Sequence, residues 1–254
     1  KRGEAVARRI RRTAKRTARN ILSQYADSSF RPLRMEFVFG QNGLSPVVLE
    51  LSDGTFVYLQ GRIDRVDVMT GGGLRVIDYK SGARKFDPTL VYWGLQLQLL
   101  LYLAAALSRV PGSHAAGFFY CRIADPMVKT ESRIREEVEK QIAKKLSLQG
   151  ISLSDVAILR AQGGSVASMV TKDGKPNGRY AASMVDEAGM EKLLDFAKRK
   201  AAELAGEIYR GEMDDSPVER GAFNACQNCE YSAICAFDPM RKPRRRLAAK
   251  KLDD

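Results

Sequence analysis

The chain of 254 residues holds one histidine, four cysteines and one tryptophan, and each scarcity closes off a class of chemistry. His114 lies in a Pro-Gly-Ser-His turn and reads as a surface turn residue, so Ser-His-Asp catalysis has no support. Cys226, Cys229 and Cys235 crowd near the end, and three cysteines cannot close into a disulfide framework. Zinc held by those three and His114 has only residue type in its favour. Cys121 sits in the apolar run Gly117-Phe-Phe-Tyr-Cys121-Arg-Ile and reads as a buried small hydrophobe. No G-x-x-x-x-G-K-[ST] loop and no dinucleotide fingerprint occurs, so neither motif brings a nucleotide to this segment. No apolar run approaches the roughly 20 residues of a membrane span, and the first residues form a basic helix without a signal-peptide core. A soluble, cytoplasmic protein is expected. The absence of an initiator methionine suggests a piece of something longer.

Acidic residues are also in deficit, 30 against 42 Lys and Arg, for a net charge of +12. Such an excess points to a polyanionic partner. It is concentrated at the two ends. The opening helix, with Arg8, Arg9, Arg11, Arg12, Lys15, Arg16 and Arg19, is basic on most of its circumference. Phosphate contact is the expectation there, although an acidic face elsewhere in a longer protein would be met in the same way. The tail from Arg241 to Lys251 reads as solvated and disordered.

Periodicity predicts a helix over 4–25, then strands over 34–40, 46–51, 55–68 and 74–80, joined by Gly43, Asp53-Gly54 and Gly71-Gly72-Gly73. A buried helix is expected over 90–107, a strand over 116–123 and a charged helix over 131–148 with Glu131/Arg135 and Glu136/Lys140 at ion-pair spacing. Residues 149–186 read as irregular, with a short strand or two near 173–176. A long helix over 187–210 ends at Gly211.

The most informative stretch is Gly61-Arg-Ile-Asp64-Arg-Val-Asp, the glycine turn, and Val76-Ile-Asp78-Tyr79-Lys80-Ser-Gly. In a hairpin, residues equidistant from the turn face each other, and the midpoint of 64 and 78 is the first turn glycine. Asp64 and Asp78 are thus expected as cross-strand neighbours about 5 Å apart at Cβ, with Lys80 on the same face. Two like charges so placed call for a cation between them, and a divalent metal is the simplest. A one-residue slip would instead separate them. Gln98 and Tyr102, at i and i+4 on the following helix, form a polar stripe suited to the rim of that site.

G-x-I-D, D-Y-K and Q-x-x-x-Y in this order resemble the RecB-type branch of the PD-(D/E)xK nucleases. The phrases around them, with Phe39-Gly40 after Glu36, Gly94-Leu-Gln-Leu-Gln98-Leu and the closing Cys226-x-x-Cys229-x5-Cys235, resemble the C-terminal nuclease domains of the AddB family, from about Arg31 to Pro239. The resemblance implies an α/β, restriction-endonuclease-like fold: a mixed central sheet flanked by helices. It implies a basic N-terminal helix (1–28), a nuclease core (29–225), and a cysteine segment with basic tail (226–254). The implied activity is a Mg²⁺-dependent DNA exonuclease within a bacterial ATP-dependent helicase–nuclease that processes double-strand breaks for recombinational repair. Its partners would be the 5′-ended single strand of unwound DNA and the AddA helicase–nuclease. Asp64, Asp78 and the Tyr79 carbonyl would hold the metal, Lys80 would serve the phosphate, and Gln98 and Tyr102 would hold the strand.

Cys226, Cys229 and Cys235 would ligate a 4Fe–4S cluster with a fourth cysteine upstream. No cysteine precedes Cys121 here, so an intact cluster in this chain is not expected. Nor does a histidine precede the sheet, as it usually does in this branch. Glu36 reads as a structural or outer carboxylate. The alternative from another class is a non-catalytic DNA-binding or scaffold module.

Overall fold

The strand-forming runs gather chiefly into one mixed sheet in the computed structural model, which describes residues 2–41, 45–129, 134–212, 214–221, 223–235 and 237–252. The elements in chain order are α1 (Arg2–Ala26), β1 (Arg31–Phe39), β2 (Val47–Glu50), β3 (Phe56–Leu59), β4 (Gly61–Val68) and β5 (Gly73–Lys80). Next come α2 (Pro88–Tyr92), α3 (Gln98–Arg109), β6 (His114–Arg122), α4 (Arg135–Lys145), β7 (Gln149–Leu153), α5 (Val156–Gln162) and α6 (Gly164–Ala167). The chain closes with β8 (Met184–Val185), α7 (Glu187–Tyr209), β9 (Val218–Arg220), β10 (Phe223–Asn224) and β11 (Arg245–Arg246). Two compact units result: residues 1–48, 58–86 and 98–196, and residues 49–57, 87–97 and 197–254.

The first unit is built on a sheet with strand order β1-β4-β5-β6-β7-β8 among the described residues. β5 and β6 run parallel, as do β7 and β8, while the other neighbours are antiparallel. This is the mixed α/β architecture expected from the sequence. On one face α3 packs against β5 and β6, burying Leu99, Leu100 and Leu103. On the other, Ile77, Phe119 and Cys121 form a core with Leu159, Val166 and Met184. Cys121 is fully buried, as its apolar run predicted.

Several expectations need correction. The strand expected over 55–68 is two: β3 pairs with β2 in a ribbon of its own, while β4 pairs with β1 and β5. Alternation continues through both pieces, so periodicity alone does not reveal the change of partner. The helix expected over 90–107 is also broken. α2 ends at Tyr92, just before Gly94, whose φ of 77° is left-handed, and the Leu95 amide reaches back to the Leu90 carbonyl at 2.7 Å, the closing bond of a glycine-terminated helix. Residues 149–186 are more regular than expected, since β7 and β8 extend the central sheet and α5 covers it. Of the expected helix over 131–148, Arg135–Lys145 is helical and Glu136 pairs with Lys140 at 2.8 Å. Glu131 and the Gly43 turn lie outside the described residues.

In the second unit the basic tail is docked rather than free. β11 pairs in parallel with β9, Trp93 Nε1 donates to the Ala248 carbonyl at 3.2 Å, and the Lys250 amide donates to Thr89 Oγ1 at 2.8 Å. Lys250 Nζ lies 4.6 Å from the centre of the Tyr92 ring. Backbone bonds and cation–π contacts give these residues partners that charge counting could not anticipate.

Beneath the sheet of the first unit lies a fully buried ionic group. Asp67 Oδ2 accepts from Arg65 Nη2 and from Arg75 Nε, each at 2.9 Å, and all three side chains have 0% exposure. The Arg75 Nη1 donates to Gln162 Oε1 at 2.8 Å. The guanidinium carbons of Arg65 and Arg75 lie 5.0 and 4.5 Å from the ring centres of Tyr25 and Phe30. Removing the single anion strands two buried cations, which typically costs about 3–5 kcal/mol, whereas replacing a whole buried ionic group by apolar residues is often neutral. Asp67→Asn is therefore expected to lower stability by about 3–5 kcal/mol in urea unfolding. The triple variant Arg65→Met, Asp67→Leu, Arg75→Met should lose less than that single change.

Candidate active site

The β4–β5 hairpin carries the candidate residues. Its turn passes through Gly71 and Gly72, both left-handed at φ 96° and 86°, with the Met69 amide bonded to the Gly73 carbonyl at 2.9 Å. Arg65 faces Ile77, Val66 faces Val76, Asp67 faces Arg75 and Val68 faces Leu74. This is the register read from the sequence, with positions 64 and 78 one step beyond the last paired residues. There the ladder gives way to a side chain: Asp64 Oδ2 accepts the Tyr79 amide at 2.7 Å. The Asp64 carboxylate is thereby held against the strand that carries Asp78.

Lys80 Nζ lies 2.6 Å from Asp78 Oδ2 and donates to Gln98 Oε1 at 3.2 Å. Gln98 Nε2 in turn donates to the Tyr102 hydroxyl at 2.9 Å. The structure thus links Asp78, Lys80, Gln98 and Tyr102 in one chain of contacts, with Asp64 joined to it at the amide next to Asp78. Gln98 opens α3, so the helix's first-turn amides and the positive end of its dipole belong to the same place. Tyr102 is steadied by Phe39, edge to face at 6.0 Å between ring centres.

Asp78 is 2% exposed. Burial pushes its carboxyl above the usual carboxylate range, Lys80 pulls it back, and the neighbouring Asp64 charge adds to the upward push. The Lys80 ammonium is close to Asp78 Oδ2 but off the hydrogen-bonding direction, which leaves that buried oxygen without an aligned partner. An under-satisfied buried carboxylate oxygen beside a second carboxylate is a hard-oxygen donor set. It fits Mg²⁺, which typically binds through one or two carboxylates and completes its shell with water and substrate phosphate. Among the described residues no group of three or more His, Cys, Asp or Glu is assembled that could hold a metal ion.

Glu36 does not join the carboxylates by any observed bond. It adopts φ 51°, and its exposed side chain pairs with Arg62 at 2.8 Å. From the opposite face of the sheet, Arg65 Nη1 donates to the Tyr79 hydroxyl at 3.1 Å, tying the residue between Asp78 and Lys80 to the buried ionic group. Sequence reasoning missed this support, although the alternation Arg65-Val-Asp67 within an apolar strand was its signal. It also missed a cavity of about 350 Å³ beside Lys80, lined in part by Arg84, Lys85, Arg122, Lys144 and Lys145. The Arg84-Lys85 pair just after the Ser-Gly turn was the visible hint.

Two other candidate regions are simpler. On α1, Arg12 pairs with Asp125 at 2.7 Å and Arg16 with Asp125 and Glu139, so part of the helix's charge is met within the chain. In the cysteine segment, the Asn224 side chain caps the Cys226 amide at 2.9 Å and the Cys235 amide bonds to the Tyr231 carbonyl at 2.8 Å. Cys226, Cys229 and Cys235 are all free thiols, the last two exposed. Burial pushes the Cys121 thiol up, against the pull of a 3.7 Å contact from Gln24 Nε2.

Residues 1–236 match the model of the PD-(D/E)XK nuclease superfamily. The chain is also similar to the B-type subunits of ATP-dependent helicase/deoxyribonucleases. It is 36% identical over 247 residues to the one from Alkaliphilus metalliredigens, a match covering 91% of this chain and 21% of the relative. To the one from Moorella thermoacetica it is 38% identical over 237 residues, covering 86% and 20%. To the one from Caldanaerobacter subterraneus subsp. tengcongensis it is 37% identical over 249 residues, covering 92% and 21%. The chain spans about a fifth of the length of these curated relatives. With the match running from the opening helix through the cysteine segment, and the D, D-x-K and Q-x-x-x-Y residues gathered at one end of a mixed sheet, the chain belongs to the PD-(D/E)XK nuclease superfamily.

Proposed function

We propose that the chain hydrolyses DNA phosphodiesters in a Mg²⁺-dependent, exonucleolytic reaction. The observation that carries the proposal is the contact chain Asp78–Lys80–Gln98–Tyr102, with Asp64 bonded to the intervening amide. Asp64, Asp78 and the Tyr79 carbonyl would hold the metal. When bound, Mg²⁺ supplies Lewis-acid polarisation of the phosphate and makes water a better nucleophile at neutral pH. Lys80 serves the reaction as a compact charge beside the scissile phosphate, offsetting the negative charge that builds up during in-line attack. Gln98 and Tyr102 orient the strand through an amide and a phenol able to bond phosphate or base. The first turn of α3 favours the same anion.

In a longer protein like these relatives, the activity would serve an ATP-dependent helicase–nuclease, a reading that the similarity to their B-type subunits supports. An AddA-type partner would supply unwound single-stranded DNA during double-strand-break repair. Cys226, Cys229 and Cys235 would there share a 4Fe–4S cluster with an upstream cysteine, closing a loop of long span and so stabilising the domain.

Asp78→Ala should abolish Mg²⁺-dependent cleavage of single-stranded DNA, by roughly a thousandfold or more, as expected for a member of a cooperating catalytic set. It should not lower the urea midpoint. The folded chain holds the Asp78 proton more tightly than the unfolded one, so ionising this group as pH rises through the carboxylate range already costs stability. Wild-type cleavage by the folded variant would refute the metal assignment.

Lys80→Ala should leave Mg²⁺ affinity nearly unchanged in calorimetry while lowering kcat by roughly 10²–10³. Lost metal binding or wild-type turnover would contradict its role at the phosphate.

In the longer protein, serine at any one of Cys226, Cys229 or Cys235 should bleach the iron–sulfur absorption and weaken DNA binding, whereas Cys121→Ser should leave the chromophore intact.

A further inference from the structure

We propose that the cationic cavity beside Lys80 binds a second phosphate of the DNA strand, next to the one being cut, and so sets where along the strand hydrolysis falls. The inference rests on the nuclease reading for its orientation, and on separate residues for its substance.

The cavity measures about 350 Å³, and its lining includes Lys80, Arg84, Lys85, Arg122, Lys144 and Lys145 but no carboxylate. A volume in the usual range of ligand sites, about 300–1,000 Å³, admits a nucleotide's phosphate and sugar. The electrostatics are the reverse of those beneath the sheet, where Asp67 stands between two arginines. Cationic side chains crowd this hollow with no carboxylate in its lining, so an entering anion lowers their mutual repulsion. Lys80 contacts Asp78, and Lys145 Nζ donates to the Met127 carbonyl at 2.8 Å. Arg122 Nε is a buried donor with no hydrogen-bond partner, and a guanidinium offers the forked geometry that suits phosphate oxygens.

The sheet register positions this hollow against the catalytic residues. Asp78 lies beside Tyr120 and Lys80 beside Arg122 across the parallel β5–β6 pair, and Tyr120 lies opposite Gln149 in β7. Tyr120, Arg122 and Gln149 all line the cavity. Its floor is therefore the face that carries Asp78 and Lys80, displaced by a strand spacing of about 4.8 Å. Its walls come from the loop after Lys80 and the last turn of α4. A strand whose scissile phosphate sits at Asp64 and Asp78 would lay a neighbouring phosphate here, either an internal diester or a terminal monoester.

The test is a coupling measurement on the full chain in EDTA, where nothing is cut. Single-stranded oligonucleotides carrying one neutral methylphosphonate, walked along the strand, are bound by fluorescence anisotropy to wild type, Arg122→Ala and Lys144→Ala. Lys144 is exposed on the last turn of α4, so its variant keeps the experiment standing should Arg122→Ala fail to fold. At one linkage, neutralisation should weaken wild-type binding about tenfold and each variant less than twofold. Each variant should also lower the salt slope by about 1. Oligonucleotides with and without terminal 5′ or 3′ phosphates distinguish an end-binding pocket from one for an internal diester. Additive effects at every linkage in both variants would overturn the proposal even with cleavage intact. Conversely, persistent coupling with cleavage unaffected by Asp78→Ala would sink the nuclease assignment and leave the phosphate site standing.

Discussion

The register of the β4–β5 hairpin governs the rest of the first unit, because strand side chains alternate between faces and every residue of this pair has work on one specific side. In the observed pairing, Asp64, Asp78 and Lys80 share the face covered by α3, while Arg65, Asp67, Arg75 and Tyr79 share the opposite face with Tyr25, Phe30 and Gln162. A slip of one residue would turn one strand's residues over relative to the other's and so split both sets. It would break the buried Asp67–Arg75 bond and carry Asp64 to the face opposite Asp78 and Lys80. A buried ionic group contributes little net stability compared with apolar packing, but it discriminates strongly against wrong pairings. Here the discrimination preserves the site: the Tyr79 hydroxyl meets Arg65 below the sheet while its amide is bonded to Asp64.

The two faces treat charge differently. Below the sheet the arginines are paired, stacked on aromatic rings and closed to solvent. Above it, Asp78 is buried with one misaligned cation as its nearest partner, and its carboxyl is held above the usual range by burial. An arrangement that costs stability persists where it prepares oxygen donors for something else, as catalytic sites commonly do. The cationic cavity next to it has a related character, since cations line it without a carboxylate among them.

Charge at the chain's ends is partly structural. Asp125 and Glu139 meet Arg12 and Arg16 on α1, and the closing basic residues lie against Trp93, Tyr92 and Thr89 within the second unit. A net charge read from composition thus overstates what is available to a partner. One local concentration of it, at Arg122 and Lys144, lies beside the proposed chemistry.

Much of the candidate site was legible in the amino-acid order because hairpins are local. The turn glycines, the period-two alternation and the spacing from Asp64 to Asp78 suffice to predict a cross-strand pair, and i,i+4 spacing suffices to align Gln98 with Tyr102. The burial of Cys121 was legible in its apolar run in the same local way, whereas the mixed α/β class was what the family resemblance implied. What the order of residues could not decide were contacts between segments distant in sequence: the change of partner between β3 and β4, the addition of β7 and β8 to the sheet edge, the docked tail, and the convergence of Arg122 and Lys144 on Lys80. Each depends on which backbone edge or helix end comes to lie nearby, a choice made by long-range packing and pairing energies that leave no periodic trace. The break at Gly94 belongs between these cases. Its glycine was visible, but the apolar run on both sides concealed the helix end until the backbone turned left-handed and the Leu95 amide closed onto Leu90.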